Sequence, residues 1–226
     1  MRTVAALYID PRGPYPKMRG VDCWDESRNA NNYDGFEPVV AHPPCGPWSK
    51  TRHLCNAATL ATADCAIEAV GFVRRNGGVL EHPANSRLWA EIDLPKVHTF
   101  GLDKYGGWTA YVEQVDWGHC CVKPTWLYLV GIPKELVVAE MDRRDGKGVA
   151  THCVCTGPRQ LKRLPVASKP FKRRSPPAFA AWLVQLARAS KVQSPEITTR
   201  STWCPAHQRP FPCKWCAHSA GAGVAK

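Results

Sequence analysis

Hydrophobic positions first cluster in residues 3–10 (TVAALYID), a short apolar run that predicts a buried strand, and the Pro- and Gly-containing stretch through Pro16 ends it. Residues 21–25 (VDCWD) predict a second short strand. Residues 38–42 (PVVAH) predict a third, stopped by Pro43 and Pro44, which cannot extend a ladder. The period then changes. Across residues 57–75, Leu60, Ala63, Ala66, Ile67, Val70 and Val73 recur at steps of three and four, which predicts a helix, and Asn76, Gly77 and Gly78 supply its stop. Val79 and Leu80 begin another strand that Pro83 ends, and residues 125–130 (TWLYLV) predict one more. Ser175, Pro176 and Pro177 form a helix start, followed by an apolar face of Phe179, Trp182, Leu183 and Leu186. Strand, helix and strand joined by short turns imply an α/β fold with an open, mostly parallel sheet. The pattern divides the chain into an α/β domain (1–189), a linker (190–202), a small unit (203–218) and a disordered tail (219–226).

Charge changes the picture more than composition does. The 226 residues carry 30 Lys and Arg against 19 Asp and Glu, a formal charge of +11, which points to a phosphate-rich partner, DNA or RNA. Arg159, Lys162, Arg163, Lys169, Lys172, Arg173 and Arg174 crowd one acid-free stretch suited to phosphate contact; a solvated basic loop is the alternative. No apolar run approaches the roughly 20 residues of a membrane helix, and the N-terminus lacks a signal-peptide layout, so a soluble cytoplasmic protein is expected. Eleven cysteines without an export signal favour reduced thiols and metal ligands over disulfides.

Cys204, His207, Cys213 and Cys216 fit the pattern C-x2-H-x5-C-x2-C. Each pair places two ligands on a tight turn, and two such turns can close a tetrahedron round Zn²⁺. So short a unit has no apolar core, so metal binding would supply its folding energy. His218 is a substitute ligand. Trp203, Phe211 and Trp215 either stack on bases or cover the metal turns. A second cluster, His119, Cys120 and Cys121 with His152, Cys153 and Cys155, could hold another metal. Neighbouring side chains on a strand point to opposite faces, so only one of Cys120 and Cys121 is expected to join it.

His42-Pro-Pro-Cys45-Gly-Pro-Trp-Ser49 follows one predicted strand, and Glu81-His82-Pro83 follows the next. In a parallel sheet both lie at carboxyl-terminal strand ends, where open α/β folds bind ligands. A thiolate and a carboxyl group facing one cleft can add across a pyrimidine: sulfur attacks C6 while the carboxyl group engages N3, and C5 becomes nucleophilic.

This order of segments resembles the cytosine-5 DNA methyltransferase family. That family has a Pro-Cys nucleophile loop, here Pro44-Cys45, and a Glu after the following strand, here Glu81. It then has a Gln- and Arg-containing strand, here entered at Gln114 with Lys123 as the cationic contact, and a Pro-rich helix start, here Arg174 to Phe179. Residues 1–188 are also similar to short phage-encoded proteins of the HPPC…EHP type. The resemblance implies a Rossmann-like methyltransferase-type domain, with Cys45 as covalent nucleophile, Glu81 at N3, and Ser49 and Lys123 supporting the substrate. It implies S-adenosylmethionine near Asp10, Gly13 and Tyr15, with Asp22 (or Asp25) at the ribose and Pro177 completing the site. The family's cofactor turn is Phe-x-Gly-x-Gly, whereas this chain has Asp10-Pro-Arg-Gly13-Pro-Tyr15. Two other functions stay open: a non-catalytic nucleic-acid-binding protein, and a pyrimidine-modifying enzyme that uses another donor or a free nucleotide.

Overall fold

The computed structural model describes residues 1–97, 101–153 and 164–191, together with the backbone of residues 203–204 and 209–210. The chain divides into two units, 1–192 and 193–226.

The first unit is built on a six-stranded sheet of order β2-β1-β3-β4-β6-β5. Its strands are β1 (Val4–Leu7), β2 (Val21–Trp24), β3 (Val39–Ala41), β4 (Gly78–Pro83), β5 (Gly107–Glu113) and β6 (Pro124–Val130). Strands β1 to β4 are mutually parallel, and β6 runs antiparallel to both of its neighbours, so the sheet is mixed but mostly parallel. The chain runs from β1 outward to β2 and then returns to place β3 on the other side of β1. That reversal makes the carboxyl ends of β1 and β3 a topological switch point, the position where open α/β sheets bind ligands.

Alternation along the strands sorts the core into two layers. Val4, Ala6, Val40, Val79, Leu127 and Leu129 pack against helix α6 (Pro177–Ala189), through Phe179, Leu183 and Leu186. Ala5, Leu7, Val39, Ala41, Leu80 and Tyr128 pack on the opposite face against helix α2 (Ala63–Asn76), through Ala66, Val70 and Val73. Each fully buried Leu or Val contributes roughly 1.5–3 kcal/mol of transfer free energy. Because both sheet faces are covered, the strands read as continuous apolar runs rather than as alternating ones.

The predicted helix over 57–75 is two helices, α1 (Ala57–Leu60) and α2. The Asn56 side chain caps α1 by accepting from Thr59 N at 2.8 Å, and the Thr62 hydroxyl donates to Thr59 O at 2.8 Å. Local side-chain bonds of this kind interrupt a helix where periodicity alone continues it. Gly77 (φ 76°) ends α2, and a Cβ at Gly78 would stand 2.0 Å from Val39 O, so β3 and β4 start with a close backbone approach that only Gly permits. Three further helices are too short or too weakly patterned for the sequence to predict: α3 (Leu88–Glu91), α4 (Lys134–Arg144) and α5 (Lys169–Arg173). Ser190 and Lys191, expected in the linker, belong to the first unit: Arg2 donates to Ser190 O at 2.6 Å and Lys191 N to Gly131 O at 2.7 Å.

In the second unit, β7 (Trp203–Cys204) pairs antiparallel with β8 (Arg209–Pro210), so Cys204 lies on a short hairpin. His207, Cys213 and Cys216 lie outside the described residues, as do the linker from residue 192 and the 219–226 tail. Among the described residues no helix is long and apolar enough to cross a membrane.

Candidate active site

Strands β3 and β4 deliver the two central residues. Cys45 follows β3 on the turn that opens a 3-10 segment, and it is exposed. Glu81 lies on β4, buried and opposite Leu127 of β6. The Cys45 thiol is pushed above its ordinary value, first by the protein packed round it and then by the charge of Glu81; Lys123 and Arg173 pull it down. The thiol and the carboxylate therefore share one electrostatic neighbourhood.

Glu81 sits inside a polar network. Its Oε1 accepts from Gln114 Nε2 at 2.6 Å and lies 3.7 Å from Lys123 Nζ. Its Oε2 lies 3.2 Å from His42 Nδ1. On the far side of that ring, His42 Nε2 is 2.5 Å from the Tyr15 hydroxyl. Burial, then the charge of Glu81, holds the Tyr15 phenol protonated, and the His42 ring links that hydroxyl to the Glu81 carboxylate through its two nitrogens. Burial by itself would raise the Glu81 carboxyl; Lys123, the His42 bond and charge, and His82 outweigh it and hold the group well below its usual range. The carboxylate is thus ionised and nearly saturated with donors.

His42 and Gln114 join the site although sequence reasoning gives neither a role there; both belong to the motifs that carry Cys45 and Lys123. Gln114 is fully buried and also donates to Thr125 Oγ1 at 3.0 Å. Next to Glu81, His82 is buried against Trp89, with ring centroids 6.3 Å apart. Burial lowers its pKa from 6.5 to about 4, against the opposing pull of Glu81 and the Pro44 carbonyl.

Other expected residues are placed differently. Ser49 ends the Cys45 turn with its hydroxyl 3.2 Å from that of Thr51. Tyr15, expected beside the cofactor, is instead buried with its hydroxyl on His42, because its ring fills the core beneath β1. Asp22 lies inside β2 rather than at its carboxyl end, ion-paired with Arg28 at 2.6 Å and accepting from Trp24 Nε1 at 2.7 Å. Asp25, just past that end, accepts from Ser27 and Arg28. Pro177 begins α6 and is exposed.

The turn after β1 closes on itself: Gly13 N donates to Asp10 O at 2.8 Å, and Arg12 is paired with the Asp10 carboxylate at 3.0 Å. Beyond it opens a cleft of about 500 Å³ over the carboxyl ends of β1 and β2, lined by Ile9, Asp10, Pro11, Arg12, Asp25, Glu26 and Ser27.

Of the basic residues, Lys172 and Arg173 end the short helix α5 and Arg174 follows it, with Arg173 near enough to act on the Cys45 thiol. Lys169 begins that helix; Arg159, Lys162 and Arg163 lie outside the described residues. His119, Cys120 and Cys121 bring one ligand atom each within 4.8 Å of one another, so this group could hold a metal ion. Both cysteines take part, contrary to expectation, because residues 118–121 turn rather than extend: Gly118 has φ 89° and His119 N donates back to Gln114 O at 3.1 Å.

No protein-family model, curated protein or solved structure matches this chain.

Proposed function

We propose that this chain modifies a pyrimidine at C5 in DNA, most simply as a cytosine-5 methyltransferase on a Rossmann-like domain with a zinc knuckle behind it. One observation carries the reading: an accessible thiol, Cys45, on the turn after β3, and an ionised buried carboxylate, Glu81, within the adjacent parallel strand β4, feel each other's charge.

In this reading the Cys45 thiolate bonds to C6 of a base rotated out of the duplex. The C5–C6 electron pair becomes available at C5 as N3 takes a proton from solvent, and the ionised Glu81 then accepts a hydrogen bond from that N3–H. His42 positions the carboxylate, since its Nδ1 lies against Glu81 and Tyr15 fixes the ring. C5 takes the electrophile, the C5 proton and the proton borrowed at N3 pass to solvent water, and the C6–S bond breaks to return the thiolate. Lys123 and Arg173 favour the thiolate and answer the negative charge of the DNA. The cleft bordered by Asp10 and Asp25 is where the chain would hold S-adenosylmethionine, which supplies an electrophilic methyl group.

Duplex DNA containing 5-fluorocytosine, incubated with the protein and S-adenosylmethionine, should yield a covalent adduct that withstands denaturation. Cys45→Ala should abolish it. A wild-type protein that traps nothing overturns the methyltransferase reading. The self-closed Asp10–Gly13 turn favours a second reading, the same covalent chemistry with a different donor or a free nucleotide. Product formed from mononucleotides but not from polymer would select it.

A further inference from the structure

The cysteines at the far end of the Lys123 loop take no part in the chemistry above. We propose that His119, Cys120, Cys121 and Cys153 form a structural zinc site that clasps this loop to residues 151–153.

The sulfurs of Cys120 and Cys121 stand 3.7 Å apart. Two thiolates bound about 2.3 Å from one tetrahedral zinc stand about 3.8 Å apart, so the pair already has the spacing of a coordination edge. A ring nitrogen of His119 lies within 4.8 Å of both sulfurs, giving a third corner. Cys121 and His119 are buried, which suits a closed structural site rather than an open catalytic one. The second chain segment arrives by backbone pairing. Thr151 N and His152 N donate to Cys120 O at 3.0 and 2.9 Å, and Cys121 bridges His152 in parallel register. Cys153 comes next and is itself pinned, with its N on Pro165 O and its O accepting from Ala167 N. Its thiol now donates to Leu164 O at 3.4 Å, and a side-chain rotation would release it as the fourth ligand.

Ligands from two segments far apart in sequence are what a structural metal is used for where apolar contacts are few. The clasp has a consequence for the active site, which rests on the reading given above. The loop runs directly from Cys121 to Lys123, whose Nζ lies 3.7 Å from Glu81 Oε1 and whose carbonyl accepts from Gln114 N at 3.2 Å. Zinc would therefore hold Lys123 and Gln114 at the Glu81 carboxylate without touching it.

The test uses the full chain, purified under reducing conditions, with zinc measured by elemental analysis. Cys120→Ser Cys121→Ser should lose one equivalent relative to wild type, and Cys213→Ser Cys216→Ser should leave that equivalent in place. Should the first variant fold poorly, wild type alone decides. The peptides containing Cys120, Cys121 and Cys153 should resist N-ethylmaleimide until a chelator is added, and Co²⁺ should replace zinc with strong thiolate charge-transfer absorption. Unchanged zinc in a folded Cys120→Ser Cys121→Ser protein overturns the proposal. So do equal labelling with and without chelator, or recovery of a Cys120–Cys121 disulfide from reduced protein. Zinc content is independent of covalent trapping by Cys45, so the metal site and the catalytic reading fail separately.

Discussion

Gln114 Nε2 donates to Glu81 Oε1 across 2.6 Å, so the residue after β5 reaches over β6 to grip a carboxylate on β4. Both groups are buried, and a buried carboxylate deprived of a donor is costly. Gln114→Leu should lower stability by roughly 1.5–3 kcal/mol, the range for a hydrogen bond to a charged group. Urea denaturation checks it: the midpoint should fall with the slope unchanged.

Opposite effects on Cys45 should follow from its two charged neighbours. Glu81 raises the thiol pKa and Lys123 lowers it. Glu81→Gln should therefore speed alkylation of Cys45 at neutral pH, and Lys123→Met should slow it, by up to about tenfold for each unit of pKa change. In wild type the rate should climb with pH beyond the range of an ordinary thiol. Iodoacetamide labelling read by mass spectrometry gives all three rates; effects of the same sign in both variants would separate Cys45 from this pocket.

Acid should destabilise the fold first through His82. Its pKa falls from 6.5 to about 4 on burial, so the unfolded chain binds a proton that the folded chain refuses. Stability is therefore full above about pH 6.5 and declines as the pH falls toward 4, by up to about 3 kcal/mol. Glu81, depressed below the usual carboxylate range, adds its loss only at lower pH. His82→Gln should flatten the stability profile between pH 6.5 and 4.5, as thermal midpoints across that window would record.

The basic end of α5 should act through phosphates. Replacing Lys172, Arg173 and Arg174 with Gln should weaken DNA binding at every sequence alike. The slope of log K against log salt should shrink by about 0.9 for each phosphate that is no longer neutralised. Fluorescence anisotropy at several salt concentrations measures it; an unchanged slope would remove these residues from the interface.

Much of the sheet was legible in the chain. β1, β3 and β4 are short, wholly or largely apolar and fenced by Pro or Gly, so burial on both faces left a clear mark. β5 carried a strand signal of the other kind: Trp108, Ala110 and Val112 alternate with Thr109, Tyr111 and Glu113 behind Gly106 and Gly107, in contrast to the continuous apolar runs of β1 and β3. Helix α4 escaped because Val137 is its only buried residue, too little for an apolar face. At the site, Cys45, Glu81 and Lys123 were readable as chemistry. The roles of His42, Tyr15 and Gln114 were not, because a polar residue in a motif looks the same whether it points to solvent or to a buried carboxylate.

The sequence alone determined which segments must be buried and where prolines and glycines end them; it put Glu81 after its strand, whereas the ladder carries Glu81 inside β4. Only the tertiary structure decided that β6 runs backward between β4 and β5, and so carries Gln114 and Lys123 to Glu81. It also decided that Cys120 and Cys121 turn toward one another. The reason is physical: burial and periodicity are local properties of the chain, written residue by residue. Strand direction and long-range polar pairing depend on which surfaces meet after collapse, and a buried charge selects its partners only once water has been removed.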